Sequence, residues 1–139
     1  MNIHTIILAA GAGSRMKSNQ AKVLQRIGGM SMLQRVLQTT RKLNSKSTVV
    51  LGHDKEGVLR HLQDIEGNIS TVIQEDQLGT ADAVKSALHN TTSDETILVL
   101  YGDVPLVSEK SLQELIDKSE NGFSILTTHL DDPFGYGRV

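Results

Sequence analysis

Three short stretches carry the residues whose types and spacing could do chemistry. The first is Leu8-Ala-Ala-Gly-Ala-Gly-Ser-Arg-Met16, in which an apolar run, Ile6 to Ala10, breaks directly into glycines. Gly11 and Gly13 open backbone angles closed to other residues and clear side chains from a ligand's path. The amides of such a turn can line a concavity for phosphate oxygens. Ser14 adds a hydroxyl donor, and Arg15 and the nearby Lys22 add positive charge, Arg15 as a fork that matches phosphate geometry. The second stretch, Gln74 to Thr80, pairs a donor–acceptor amide able to read a base edge with Gly79, where backbone can approach a ring. The third, Tyr101-Gly-Asp103, follows a strongly apolar run and holds a carboxylate, a hard oxygen ligand suited to sharing Mg²⁺ with substrate phosphates.

Each stretch alone has a plainer reading. The glycine loop is neither G-x-x-x-x-G-K-[ST] nor a complete G-x-G-x-x-G, because Met16 stands where the third glycine would be, so an ordinary tight turn fits it too. Asp103 could shape a turn before Pro105, and Gln74 could simply end a strand. The mid-helix apolar stripes, with Met30 and Met32, read as core. The five histidines show no metal-ligand spacing, with no i, i+4 pair. No G-x-S-x-G occurs and no Ser-His-Asp set can be argued, so nucleophilic catalysis by the protein is unsupported.

The elements that must position these stretches follow from periodicity. Short apolar strands are expected over Ile6–Ala10, Ser47–Leu51, Ile69–Gln74, Thr96–Tyr101 and Phe123–Leu130. Thr96–Tyr101, the most apolar, reads as a central strand buried on both faces. Between them lie helices with capping signals: Ser31 with Gln34 in capping-box form, then Asp54, Thr80 and Ser108. Leu33, Val36, Leu37 and Thr40 share one helical face; a second helix carries Val58, Leu59 and Leu62, a third has Ala83, Val84, Ala87 and Leu88 on its buried stripe, and a fourth carries Leu112, Leu115 and Ile116. Alternating strand and helix argues for an α/β fold: a Rossmann-like, doubly wound, mainly parallel sheet. In such a sheet ligands bind beyond the carboxyl ends of the strands, where all three stretches fall.

Composition sets the outer bounds. The chain has 139 residues, 38% apolar and 22% charged, an ordinary mix for a globular domain. A net charge of −2, from 14 basic and 16 acidic residues, gives no basic field for nucleic acid. No cysteine means no disulfide and no thiolate site. The start lacks a basic n-region and a long apolar run, so no membrane contact and a cytoplasmic location are expected. The finish at Phe134-Gly-Tyr-Gly-Arg-Val139 has neither polar tail nor capping helix, and reads as part of a larger domain.

Taken together the motifs resemble a known family. Leu8 to Met16 with Lys22-Val-Leu24 resembles the nucleotide-binding signature of sugar-nucleotide pyrophosphorylases. Gln74-x-x-Gln-Leu-Gly-Thr80, Leu100-Tyr-Gly-Asp-Val-Pro-Leu106 and Leu130-Asp-Asp-Pro-x-Gly-Tyr-Gly-Arg138 are more specific. They resemble the N-terminal uridyltransferase domain of the bacterial bifunctional N-acetylglucosamine-1-phosphate uridyltransferase / glucosamine-1-phosphate acetyltransferase family. The resemblance implies UTP and N-acetylglucosamine 1-phosphate as substrates, Mg²⁺ as cofactor, and UDP-N-acetylglucosamine and pyrophosphate as products. By the same resemblance Leu8, Ala9, Ala10 and Gly11 hold the nucleotide through backbone groups, and Arg15 and Lys22 neutralise its phosphates. Gln74, Gly79 and Thr80 bind the uridine, Asp103 ligates Mg²⁺, and Tyr101, Gly102 and Gly137 lie near the sugar.

Four positions depart from the family pattern: Ala12 where many relatives carry Lys, Ala21 where Pro is common, and Ala81-Asp82 in place of Gly-His. The family's domain also runs on well past residue 139. That continuation carries further sugar contacts and the second metal ligand, and is followed by a left-handed β-helix acetyltransferase domain that trimerises the protein. The expectation is a nucleotide-binding portion with little turnover of its own. Two alternatives stay open: a transferase of the same fold using CTP or another sugar phosphate, and a non-catalytic or self-associating unit exposing a sheet edge.

Overall fold

The computed structural model describes residues 2–11, 20–76, 78–119 and 122–135. Four parallel strands form its sheet: β1 (Asn2–Leu8), β4 (Lys46–Leu51), β5 (Ile69–Ile73) and β6 (Glu95–Tyr101), in the order β5-β4-β1-β6. The chain thus winds outward from β1 through β4 to β5, then returns to lay β6 on the opposite side of β1. That reversal is a topological switch point, and it opens a crevice beyond the carboxyl ends of β1 and β6. A two-residue hairpin, β2 (Arg26–Ile27) and β3 (Met30–Ser31), stands apart from the sheet. It turns on Gly28 and Gly29 at φ of +59° and +81°, the doubly positive geometry that a two-residue loop favours.

Helices cover both sheet faces, because successive strand residues point to opposite sides. Ile7, Val49 and Leu51 pack against α1 (Met32–Lys42) and α2 (Lys55–Gln63), with Leu33, Val36, Leu37, Val58 and Leu62 buried among them. Leu98 packs against Leu112 and Ile116 of α4 (Glu109–Asp117). On the other face Ile6 and Val50 meet Ala83 and Ala87 of α3 (Thr80–Ala87), where small residues let the helix sit close. Near the amino ends of the strands the sheet is polar. His4 Nε2 lies 2.8 Å from Thr48 Oγ1, which lies 2.7 Å from Ser70 Oγ, while His4 Nδ1 lies 3.1 Å from Glu95.

The helix starts follow their caps. Ser31 Oγ accepts the Gln34 amide, Asp54 accepts Gly57 N, and Ser108 accepts Ser111 N. Several expectations are corrected. Thr80 is the first helical residue of α3 rather than its cap; Gly79 takes that place at φ +111°, a conformation that favours glycine. Thr96–Tyr101 lies within an edge strand of the four, not a central one, and Val99 and Tyr101 stay exposed. Phe123–Leu130 forms no strand: it runs as irregular chain beside α4, tied there by Ser124 Oγ donating to Leu115 O at 2.7 Å. A strand exists only through its ladder, and none joins this segment to β6. The first strand closes at Leu8, before Ala9 and Ala10, and Leu88, expected on the buried stripe of α3, lies past the helix end and is exposed.

Candidate active site

The carboxyl ends of β1 and β6 are locked together before they diverge. Gly102 N donates to Leu8 O at 2.9 Å, extending the parallel ladder one step past the strands. A Cβ on Gly102 would meet Leu8 O at 3.1 Å and Val23 Cγ1 at 3.0 Å, so the close approach depends on glycine. Ala9 N donates to Val50 O at 3.0 Å, and His53 N to Ala10 O at 3.1 Å, so the chain leaving β1 is held to β4 as well. Ala9 and Ala10 are buried. Their backbone is thereby fixed while the chain passes into the crevice, with Gly11 exposed at its lip.

Lys22 and Asp103 meet across that crevice. Lys22 opens a single 3₁₀ turn, Lys22–Leu24, whose Val23 and Leu24 are buried against the sheet. Asp103 follows Gly102 directly, so the Leu8–Gly102 bond fixes where its carboxylate starts. Lys22 Nζ donates to Asp103 Oδ2 at 2.8 Å, with both side chains about a third exposed, 40% and 32%. A cation and a carboxylate this close, and still wet, are available to incoming ligands: one to a phosphate, the other to a metal ion. Tyr101, half exposed, sits beside them at the end of β6.

Gln74, Gly79 and Thr80 form a second group at the carboxyl end of β5. Gln74 N donates to Leu51 O at 2.8 Å, and the side chain is buried. Its Nε2 donates to Gly79 O at 3.1 Å and to Asp82 Oδ2 at 2.7 Å, so both amide hydrogens are used within the chain. What Gln74 offers a base in this arrangement is therefore its acceptor oxygen, not the full donor–acceptor edge. Asp82, in the first turn of α3, also suits the positive end of the helix dipole.

Arg15 and Gly137 lie outside the described residues, as do Gly13, Ser14 and Gln77. The structure thus brings Leu8 to Gly11, Lys22, Tyr101, Gly102 and Asp103 to one crevice, with Gln74, Gly79 and Thr80 on a neighbouring strand end. Among the described residues no cluster of three or more His, Cys, Asp or Glu could hold a metal ion unaided. Asp103 is a single carboxylate, which fits an ion completed by substrate oxygens and water rather than a closed protein cage.

One residue that positions this site was not expected to do so. Asp54, read only as a helix cap, accepts Ala21 N at 3.1 Å through Oδ2 while Oδ1 accepts Gly57 N at 3.2 Å. It ties the start of α2 to the residue before Lys22. A Cβ on Gly57 would fall 2.5 Å from both carboxylate oxygens, so glycine there keeps the bridge open. Only the capping role is local in sequence; the reach to Ala21 spans 33 residues.

The chain is 42% identical over 139 residues to the bifunctional protein GlmU of Marinobacter nauticus, covering 99% of this chain and 30% of that protein. The match falls on the N-terminal part of GlmU, so the chain spans less than a third of that relative's length. Among solved structures, a UDP-glucose pyrophosphorylase complexed with UDP-glucose superposes with a TM-score of 0.69 at 19% identity, over 86% of this chain and 55% of the other. A Mycobacterium tuberculosis protein solved with manganese gives 0.63 at 22% identity, over 84% and 59%. These two show a shared fold. The model of the MobA-like NTP transferase domain matches residues 5–136, and the chain belongs to that family of nucleotidyltransferases.

Proposed function

We propose that this chain carries the nucleotide half of a uridyltransferase site. UTP and N-acetylglucosamine 1-phosphate would give UDP-N-acetylglucosamine and pyrophosphate there. The observation that carries the reading is the Lys22–Asp103 pair, 2.8 Å apart and half-wet at the switch point of the sheet. The 42% identity to GlmU supports the choice of substrates.

The reaction is an in-line displacement at the α-phosphorus. A phosphate oxygen of the sugar phosphate forms the new P–O bond as the bond to pyrophosphate breaks, and the leaving group takes the electron pair. No protein nucleophile is required, so the chain's work is to position groups and stabilise charge. The backbone of Ala10 and Gly11, held by the bonds to β4, would cradle the nucleotide. Lys22 would turn from Asp103 to the phosphates, with Arg15 beside it in sequence order. Asp103, freed from Lys22, would hold Mg²⁺, which when bound draws negative charge from the phosphate oxygens and aligns them. The Gln74 oxygen would accept N3–H of uracil, a donor that cytosine lacks at that position. The chain spans 30% of GlmU, and we infer that these residues alone bind nucleotide but turn over little.

Mn²⁺ in place of Mg²⁺ tests the reading. With UTP present it should broaden the amide signals of Gly102 and Asp103, and Asp103→Asn should abolish the effect. Broadening centred elsewhere would remove Asp103 from the metal site. Robust UDP-N-acetylglucosamine synthesis by the 139 residues would refute the division of labour.

A further inference from the structure

A second concave site has Asp54 in its wall. Its volume is about 430 Å³, and Arg26, Asp54, Gly57, Arg60 and His61 stand among its walls. Arg26 belongs to the β2–β3 hairpin and Arg60 to α2, so two separate elements each bring a guanidinium to one hollow.

Among the described residues neither guanidinium is neutralised. Arg26 makes a single long donation, Nη1 to Gly29 O at 3.4 Å, and neither arginine forms an ion pair among the described residues. Asp54 is the acidic wall, but its two oxygens are committed to the amides of Gly57 and Ala21. Its charged walls are two arginines and one aspartate whose carboxylate is turned to backbone, and Asp64 acts on His61 from nearby. Guanidinium groups bind tetrahedral oxyanions through paired donors, better than they bind simple halides.

His61 adds an imidazole ring. Ser31 Oγ accepts the Gln34 amide and lies 2.7 Å from His61 Nε2. In the tautomer in which Ser31 donates to Nε2, the ring proton stands on Nδ1 and is available as a donor. Burial first, then the charge of Arg26, holds His61 below the ordinary histidine range against the opposing pull of Asp64, so the positive charge in the hollow is the arginines'.

We propose that Arg26, Arg60 and His61 form a binding site for a phosphate-bearing anion, separate from the Lys22–Asp103 pair. Such an anion can be inorganic phosphate or pyrophosphate, or the tail of a nucleoside triphosphate reaching over from the crevice. Occupancy would be felt at Lys22, because Asp54 joins the two places through Ala21 N.

The test is amide NMR on the 139-residue chain at fixed ionic strength, with inorganic phosphate, pyrophosphate and UTP titrated separately. Saturable shifts of Gly57, Arg60 and His61 amides with pyrophosphate are expected, and Arg26→Gln with Arg60→Gln should weaken binding about tenfold or more. Arg41→Gln, on an exposed arginine paired to Glu66, should change nothing. Pyrophosphate that still shifts these amides on UTP-saturated protein identifies an inorganic anion; UTP that already occupies them identifies its tail. Absence of shifts at residues 57–61 up to about 10 mM ligand, or an affinity unmoved by the double substitution, overturns the proposal. Should the double variant misfold, the map of shifts on the unaltered chain decides alone. Failure of nucleotide binding at Lys22 leaves this result standing, and the reverse holds too.

Discussion

The amide of Gly102 and the carbonyl of Leu8 stand 2.9 Å apart, and this one bond joins the two strand ends between which the candidate site opens. Because a Cβ on Gly102 would press on Leu8 O and Val23 Cγ1, Gly102→Ala must push the β6 loop outward. We expect a loss of roughly 1–3 kcal/mol in stability, the usual range for overpacking, and a weaker nucleotide affinity as Asp103 moves with it. Urea unfolding and a nucleotide titration on the same variant check both parts; an unchanged midpoint would show the strand ends to be slack.

Lys22 and Asp103 are expected to matter for binding far more than for folding. An ion pair this exposed contributes about 0–1 kcal/mol to stability. Lys22→Met should therefore shift the unfolding midpoint little while weakening UTP binding about tenfold or more. A large loss of stability with binding retained would recast the pair as structural.

Glu95 links stability to acid. Its carboxylate is enclosed, 2% exposed, and accepts from Lys46 Nζ at 2.8 Å and Thr92 N at 2.9 Å beside His4. The Lys46 hydrogen bond first, then the Thr92 amide, hold its pKa down at about 2 from 4.5. A depressed carboxyl favours the fold fully above the unfolded value, and the contribution drains away between about 4.5 and about 2. Denaturant midpoints measured across that window should fall with pH, and Glu95→Gln should start lower at neutral pH and flatten the decline. A Gln variant with the same slope would assign the acid sensitivity elsewhere.

His61 acts in a higher window. Burial lowers its pKa from 6.5, so below that value the unfolded chain takes up the proton first. Stability is then fully present above pH 6.5 and falls as the pH drops beneath it. His61→Gln should remove that segment of the pH dependence, read as urea midpoints at pH values on either side. Persistence of the segment in the variant would exclude His61 as its source.

Much of this arrangement was legible in the chain because it is local. Ser31, Asp54 and Ser108 cap helices within three residues of themselves, and the buried stripes of α1 and α2 follow a simple period. The glycine loop, Gln74 and Asp103 were all expected beyond the carboxyl ends of strands, and the described ones lie there. What escaped was non-local. The apolar run before Tyr101 suggests burial on both faces, but burial depends on a neighbour, and no strand pairs with its outer side among the described residues. Phe123–Leu130 has strand-like composition and lacks a ladder for the same reason. Nor could spacing reveal that the Gln74 amide is spent on Gly79 and Asp82, or that Arg26 and Arg60 face one hollow, since those contacts arise only on folding.

The most direct test of the nucleotide reading is calorimetric titration of UTP with Mg²⁺ into the 139-residue chain, with CTP and Asp103→Ala alongside. The account predicts saturable UTP binding that strengthens with Mg²⁺, exceeds that of CTP, and loses its Mg²⁺ dependence in the variant. UTP binding indifferent to both the metal and Asp103, or no binding at all, would contradict it.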